Sequence, residues 1–314
     1  MRALLFLAVA VVLGAASIAR AIEQAEPTPQ QKARCDKAAT DQGKRFCLAG
    51  YGVRGLQFPQ TAIEGGPGTS VPSMAIYKPA GPGPFPALVL LHTCAGLSTN
   101  DQMPGWVHTA LAKGYVAFVL DSFSQRGFGS DSVCNGGWPG IASIAVRARD
   151  AFDALDHLAR LPFVDKTRIA AMGFSHGARV AYLLTSERVV KAFASAGRFA
   201  AVVAVYGQCF SPTHNLDYVH DDISIPLLAL LGAEDHDGDP KECIPRLDKV
   251  KAGGAPVQSH VFGGVGHVWD QPSRSPGKRM PLNEPPGWTW FGYDANVTEQ
   301  SHALAFDFFA RAMR

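Results

Sequence analysis

The sequence lacks several features that define large classes of protein. After the first 21 residues, no apolar stretch approaches the ~18 residues that a membrane-spanning helix needs. No run of like charge stands out and the 29 Lys and Arg nearly balance the 27 Asp and Glu, so nothing marks a nucleic-acid or anionic-membrane partner. The Cys-x-x-Cys and His-x-x-x-His spacings typical of metal sites are missing. We therefore expect a small-molecule partner, no metal and no other cofactor.

The N-terminus has the pattern of an export signal. One Arg precedes an apolar run from Ala3 to Ile18, and Ala19-Arg20-Ala21 forms a small-x-small cleavage site. The pattern predicts a signal peptide over residues 1–21 and a periplasmic or secreted protein that has no membrane segment after cleavage. An uncleaved N-terminal anchor is the alternative. Residues 22–50 are polar and suggest a linker with a Cys-tied segment, and 51–314 suggest one catalytic domain.

The six cysteines are an even number in a chain predicted to leave the reducing cytosol, which favours disulfides over free thiols. Six cysteines allow 15 pairings. Cys35 and Cys47 are close enough in sequence to tie the start of the mature chain. The other two pairs join loops at one end of the sheet predicted below. The expected bonds are Cys35–Cys47, Cys94–Cys134 and Cys209–Cys243.

Strand-like and helix-like stretches alternate along most of the chain. Apolar runs with strand character lie at 55–58, 73–77, 87–91, 116–120, 168–172, 200–205, 226–231 and 257–262. Helical periodicity appears at 100–113, 141–160, 177–186, 241–252 and 296–313. The first two strands alternate in polarity and the later ones are mostly continuous, as expected for strands buried on both faces. The order predicts an α/β fold: a mostly parallel sheet opened by an antiparallel hairpin, with helices on both faces.

A candidate nucleophile lies at residues 173–177, which read Gly-Phe-Ser-His-Gly. The motif follows a predicted strand and precedes a predicted helix, which is the setting of a nucleophile elbow. There the glycines relieve crowding in a sharp turn, and Ser175 projects beyond the strand end near the amides of the helix N-terminus.

Serine needs a general base, and the base needs an orienting acid. Asp235 follows the strand at 226–231 and is the preferred acid. His267 follows the strand at 257–262 in a glycine-rich loop and is the preferred base, in the chain order Ser, Asp, His of α/β hydrolases. The competing acids in the same loop are Glu234, Asp237 and Asp239, and the loop has the alternative reading of a solvated or ion-binding segment.

Two backbone amides are needed to hold the oxyanion of a tetrahedral intermediate. The first is expected from His176, which follows the nucleophile. The second is expected from the loop after the third sheet strand, where Cys94 is preferred and Thr93 is the alternative. A Cys94–Cys134 bond would then either fix this donor or be structural only.

Residues 268–295 form a long connection with five prolines and three of the five tryptophans. The length and aromatic content favour a lid or pocket wall, in which Trp269 and Trp288 contact an apolar substrate. A structural loop with its own satellite core is the alternative.

Several motifs together resemble the dienelactone hydrolase family of α/β hydrolases. They are HTCAG, DSFSQRG, GFSHG, GAEDHDGDPKEC, GVGH and YDANVTEQSHALAFDFF, and the resemblance runs from about residue 71 to the end. It implies an eight-stranded hydrolase fold, a triad of Ser175, Asp235 and His267, and action on esters or lactones. It also implies that Arg126 pairs with a substrate carboxylate, although we favour a structural salt bridge with Asp121 or Asp131.

The sequence departs from the family at the nucleophile. Dienelactone hydrolases proper carry Cys at that position, whereas this chain has Ser175, which favours a broader esterase role. A peptidase or acyltransferase with the same triad is the competing enzyme reading, and a non-catalytic ligand-binding module is the competing class.

Overall fold

A computed structural model of the protein describes residues 24–38, 40–97, 99–129, 133–134, 140–195, 197–212, 215–282 and 286–314, with the backbone alone at 140–142. The predicted export signal at residues 1–21 lies outside these ranges. Within them, no helix has the length and apolar character needed to cross a membrane.

Eight strands form one mostly parallel sheet. The strands of the chain are β1 (Ile63–Glu64), β2 (Ala75–Lys78), β3 (Phe85–Leu91), β4 (Val116–Leu120), β5 (Val164–Phe174), β6 (Val202–Val205), β7 (Phe210–Ser211), β8 (Leu216–Asp217), β9 (Leu227–Gly232), β10 (Val257–Phe262), β11 (Lys278–Pro281) and β12 (Trp288–Phe291). The sheet order is β1-β2-β4-β3-β5-β6-β9-β10, and only β2 and β4 pair antiparallel. The pairs β7–β8 and β11–β12 are separate antiparallel ribbons.

Helices cover both faces of the sheet. They are α1 (Pro29–Cys35), α2 (Asp41–Tyr51), α3 (Met103–Ala112), α4 (Gly140–Leu158), α5 (His176–Leu184), α6 (Glu187–Phe193), α7 (Pro240–Ala252) and α8 (Ala295–Ala312). In β3, Val89 and Leu91 enter one core with α2, α4 and α5, whereas Leu88 and Leu90 enter a second core with α3 and α8. Each fully buried Leu contributes roughly 1.5–3 kcal/mol. The predicted α/β-hydrolase architecture is confirmed.

The predicted opening of the sheet is wrong. Residues 55–58 do not form a strand, and the first strand, β1, runs parallel to β2 rather than forming a hairpin with it. The backbone of Gln57 bonds the side chain of Gln125 instead, through an N–H to Oε1 contact of 2.9 Å and an Nε2 to carbonyl contact of 2.8 Å. The side-chain amide of Gln125 thus forms the two hydrogen bonds that a neighbouring strand would form with the backbone of Gln57.

The segment read from sequence as a linker contains α1 and α2. Thr28 and Thr40 cap these helices through their hydroxyls, and Pro29 occupies the first turn of α1, where its missing N–H costs nothing. The Tyr51 hydroxyl donates to the Ala192 carbonyl at 2.9 Å. This contact, with Arg34 donating to the Ala194 carbonyl at 3.1 Å, fastens the segment to the main body.

All three predicted disulfides are present: Cys35–Cys47, Cys94–Cys134 and Cys209–Cys243. Structural disulfides persist mainly in proteins that fold outside the reducing cytosol. Their presence therefore points to an extracytoplasmic protein.

Candidate active site

Ser175 lies in a sharp turn between β5 and α5. Its backbone angles, φ 52° and ψ −114°, are unusual for a residue with a side chain. The flanking glycines allow the turn because there is no space for a Cβ. At Gly173 a Cβ would lie 2.0 Å from the Gly177 carbonyl oxygen, and at Gly177 it would lie 2.2 Å from that of Leu91. The turn places Ser175 at the carboxyl end of the sheet.

His267 connects Ser175 to Asp235. The Ser175 hydroxyl donates to His267 Nε2 at 2.9 Å, and His267 Nδ1 donates to Asp235 Oδ2 at 2.7 Å. Asp235 is fully buried, and its Oδ1 accepts the backbone amides of Asp237 and Gly238 at 2.9 and 3.1 Å. The structure thus brings together the three residues selected from the sequence.

The other acidic residues of this loop have different positions. Glu234 is exposed, and Asp239 caps α7 by accepting the Lys241 amide. Asp237 lies with Oδ2 3.7 Å from His267 Nε2 and is held by Arg179 at 3.2 Å. Asp237 therefore adds a second negative charge beside the imidazole, a role that strand-end position alone does not reveal.

Burial and nearby carboxylates shift the pKa of His267 in opposite directions. Burial alone lowers its pKa, but the charge and hydrogen bond of Asp235, together with the charge of Asp237, outweigh burial and leave the pKa above the ordinary 6.5. An imidazole that accepts from a hydroxyl and has a raised pKa is suited to remove and return a proton near neutral pH.

The ribbon β11–β12, within the segment predicted as a lid, contacts the histidine and the aspartate directly. The His267 amide donates to the Trp290 carbonyl at 2.6 Å, and the Phe291 ring stacks on the imidazole at 5.0 Å. The Thr289 hydroxyl donates to Asp235 Oδ1 at 3.2 Å. This part of the segment supports the imidazole and its partner.

The amides predicted to hold an oxyanion are distinguishable by their bonding. The Thr93 amide donates to Asn100 Oδ1 at 3.1 Å, and the Thr93 hydroxyl accepts the Ala95 amide at 3.2 Å. Within the described ranges, the amides of Cys94 and His176 have no acceptor. The bonding favours Cys94 over Thr93 as the second donor.

The surroundings of Arg126 favour the structural role over the substrate-carboxylate role that the resemblance implies. Its guanidinium is buried and forms two bonds with Asp150, at 2.7 and 2.8 Å, and it also donates to the Ser122 carbonyl. The structural salt bridge favoured from the sequence is present with Asp150 as a partner that the sequence did not suggest. Asp121 accepts from Phe123 and Ser124, and Asp131, the other expected partner, lies outside the described residues. Asp150 lies 24 residues further along the chain, in α4, so local spacing did not identify it as a partner.

The two predicted aromatic contacts differ in position. Trp269 is fully buried, packs on Tyr206 and Phe262, and donates to Ser301 at 3.4 Å, so its expected contact with a substrate is corrected to a core position. Trp288 is half-buried in β12, where it packs on His236 at 4.7 Å. Its contact with a substrate stays a prediction.

A buried polar cluster lies behind His267. Asp270 accepts from Trp106 Nε1 and from the Tyr206 hydroxyl, both at 2.7 Å, and the Tyr206 ring packs edge-on against His267 at 5.0 Å. Burial raises the pKa of Asp270 to about 6, although the two donated bonds lower it. The cluster joins the loop after β10 to β6 and α3.

Asp270 is expected to make the protein less stable as pH rises. Its folded pKa of about 6 exceeds the unfolded value of 3.8, so its contribution is complete below pH 4 and is lost as the carboxyl ionises through pH 6. The loss is on the order of 3 kcal/mol. Urea unfolding at pH 4.5 and 7.5 is expected to show a smaller fall in stability for Asp270→Asn than for the wild type. An exposed control, Asp307→Asn, should follow the wild type, and equal falls in all three proteins would contradict this account.

A cavity of about 930 Å³ lies elsewhere in the molecule. It is lined by residues of α1, α2, α6 and α7, among them Arg34, Phe46 and Lys249. Neither Ser175 nor His267 contributes to it. The cavity therefore gives no information about a substrate of Ser175.

The sheet order and the serine turn define an α/β hydrolase. The sequence profile of the dienelactone hydrolase family matches residues 73–313, and the chain belongs to this family. It is accordingly a hydrolase. Among curated proteins, none matches the sequence.

Several solved structures share the fold at low identity. A proposed dienelactone hydrolase from Klebsiella pneumoniae is 18% identical, with 77% of this chain and 96% of that chain covered and a TM-score of 0.53. A dienelactone hydrolase-like promiscuous phosphotriesterase from metagenomic libraries is 19% identical, with coverages of 73% and 87% and a TM-score of 0.55. Esterase 2 of Thermogutta terrifontis, bound to propionate, is 17% identical, with coverages of 76% and 88% and a TM-score of 0.54. At these identities the similarity shows the fold alone.

Proposed function

We propose that the protein is an exported serine hydrolase that cleaves carboxylic esters or lactones through an acyl-enzyme on Ser175. The observation that carries the proposal is the continuous chain of hydrogen bonds from Ser175 through His267 to the buried Asp235, with contacts of 2.9 and 2.7 Å. This is the geometry of an activated serine nucleophile.

In the proposed reaction, His267 takes the Ser175 proton while Oγ attacks the substrate carbonyl. The amides of His176 and Cys94 stabilise the oxyanion, and the protonated His267 then gives its proton to the departing alkoxide. Water attacks the acyl-enzyme with His267 again as base, which releases the acid and restores Ser175. Asp235 stays ionised throughout and stabilises the imidazolium.

An ester or lactone is favoured over an amide by family membership. A peptidase and an acyltransferase use the same residues, and they differ from an esterase in the leaving group and the acceptor. A non-catalytic module would keep the fold without turnover. The disulfides and the predicted signal support export.

The test is hydrolysis of p-nitrophenyl esters from acetate to octanoate by the protein purified under oxidising conditions. A p-nitroanilide with the same acyl group tests peptidase activity, and added methanol tests acyl transfer. We expect ester hydrolysis with little anilide cleavage and a minor methyl ester product. No turnover of any ester would contradict the proposal, and dominant cleavage of the anilide would replace it with a peptidase.

Asp237, the second carboxylate beside His267, is expected to influence the acid limb of the pH profile of kcat/KM. Because the base must be neutral, kcat/KM should rise with pH and reach half its plateau above pH 6.5. Asp237→Asn removes a charge that raises the pKa of His267, so the acid limb should move to lower pH. Asp239→Asn is the matched control and should leave the profile unchanged. A profile that does not move in Asp237→Asn would contradict the electrostatic account.

A further inference from the structure

Arg147 of α4 is fully buried and joins two segments of the proposed active site. Its Nη1 donates to His176 Nδ1 at 2.5 Å, and its Nη2 donates to the His92 carbonyl at 2.6 Å. His176 directly follows the nucleophile, and His92 lies two residues before Cys94. One guanidinium therefore contacts the side chain of His176 and the backbone just before Cys94, the two residues whose amides are proposed to bind the oxyanion.

Within the part of the chain that the structure describes, the charge of Arg147 forms no direct ion pair with a carboxylate. Neighbouring Asp150 is bound by Arg126 and Arg149, and it acts on Arg147, as Asp121 does, only through its charge at longer range. The Nε–H of Arg147 also lacks an acceptor within the described ranges. The guanidinium lies over the Phe123 ring, 5.0 Å from the centroid. Burying a charge without a directly bonded carboxylate is costly, so its place beside the nucleophile calls for an explanation beyond stability.

The protonation states fit a neutral histidine held by a cation. Burial lowers the pKa of Arg147 to about 9, so the group stays charged at neutral pH. Burial and the charge of Arg147 hold the pKa of His176 well below its ordinary value. Since arginine only donates, His176 Nδ1 must be the acceptor, which leaves its proton on Nε2, 3.5 Å from Ser143 Oγ.

We propose that Arg147 is a positioning residue for the oxyanion hole, whose guanidinium fixes the amides of His176 and Cys94 relative to each other and adds positive charge behind them. This inference rests on the proposed function. The effect should fall on the transition state, where the carbonyl oxygen carries charge, and should hardly change ground-state binding.

The test compares kcat and KM for Arg147→Met, Arg147→Lys and a control, Arg126→Met, which removes a second buried arginine, one that binds Asp150 and the carbonyls of Ser122 and Arg54. Because loss of one oxyanion donor costs about 10²–10³-fold, a loosened hole should cost roughly 10–100-fold in kcat with KM changed less than threefold. The lysine variant should recover part of the loss. An alkylboronic acid, which forms a tetrahedral adduct with the serine, should bind more weakly to Arg147→Met by a similar factor.

Substitutions at His176 give a second route if Arg147→Met fails to fold. His176→Asn keeps an acceptor for Arg147 and should remain near the wild-type rate, whereas His176→Leu should lose kcat as Arg147→Met does. The effects of His176→Leu and Arg147→Met should not add in the double variant. Wild-type kcat in Arg147→Met and His176→Leu, or an equal loss in Arg126→Met, would overturn the inference. An inactive wild-type protein would instead overturn the proposed function on which the inference rests.

Discussion

Replacement of Ser175 by alanine is expected to reduce kcat for ester hydrolysis by about 10⁵–10⁶-fold. The hydroxyl that donates to His267 at 2.9 Å is the atom that would form the acyl bond. The alanine side chain fits the turn, so the fold should persist. Initial rates with p-nitrophenyl acetate, measured beside circular dichroism and thermal melting, check the result.

Ser70→Ala is a suitable control because Ser70 is exposed and lies outside the serine turn and the loops that hold Asp235 and His267. It should leave kcat unchanged. Ser175→Ala activity within tenfold of the wild type, in a folded protein, would show that ester cleavage occurs elsewhere on the molecule.

Replacement of Asp235 by asparagine is expected to reduce kcat by about 10⁴-fold. The reason lies in how the carboxylate is held. Its Oδ1 accepts two backbone amides, of Asp237 and Gly238, so the side-chain oxygen of the asparagine should keep that position and its NH₂ group should face His267. The imidazole proton would then move from Nδ1 to Nε2, and the nitrogen facing Ser175 would no longer be a base.

Glu234→Gln is the matched control, because Glu234 is the adjacent carboxylate and is exposed. It should retain the wild-type kcat. A loss in Asp235→Asn that is no larger than in Glu234→Gln would contradict the role of Asp235 in orienting the imidazole.

Strand ends made much of the site predictable. Ser175 and Asp235 follow the buried strands β5 and β9, and His267 follows the edge strand β10, whose middle residues are exposed. The carboxyl ends of parallel strands meet at one edge of a sheet. Spacing alone left Glu234, Asp237 and Asp239 as competitors of Asp235. Which of these acids faces His267 depends on the backbone geometry of the loop, and the local sequence pattern does not determine that geometry.

Other features depended on contacts between distant segments. The aromatic content of residues 268–295 did not distinguish Trp269, which is a core residue, from the aromatic residues that lie near the site. Tryptophan occurs both in cores and at binding surfaces. The position of Arg147 in the sequence also indicates a buried role. It lies four residues before Ala151, on the same helical face as Leu158 and the apolar stripe of α4, where a charge is out of place. Such a residue points to a buried partner.

The central claim is that His267 activates Ser175 for covalent catalysis. The most direct measurement is reaction with an alkyl fluorophosphonate, followed by intact-protein and peptide mass spectrometry. The account predicts one adduct per chain on the peptide that contains Ser175, loss of ester hydrolysis in proportion to labelling, and much slower labelling in His267→Ala. Labelling at another residue with Ser175 unmodified, or ester hydrolysis that continues at full rate after Ser175 is labelled, would contradict it.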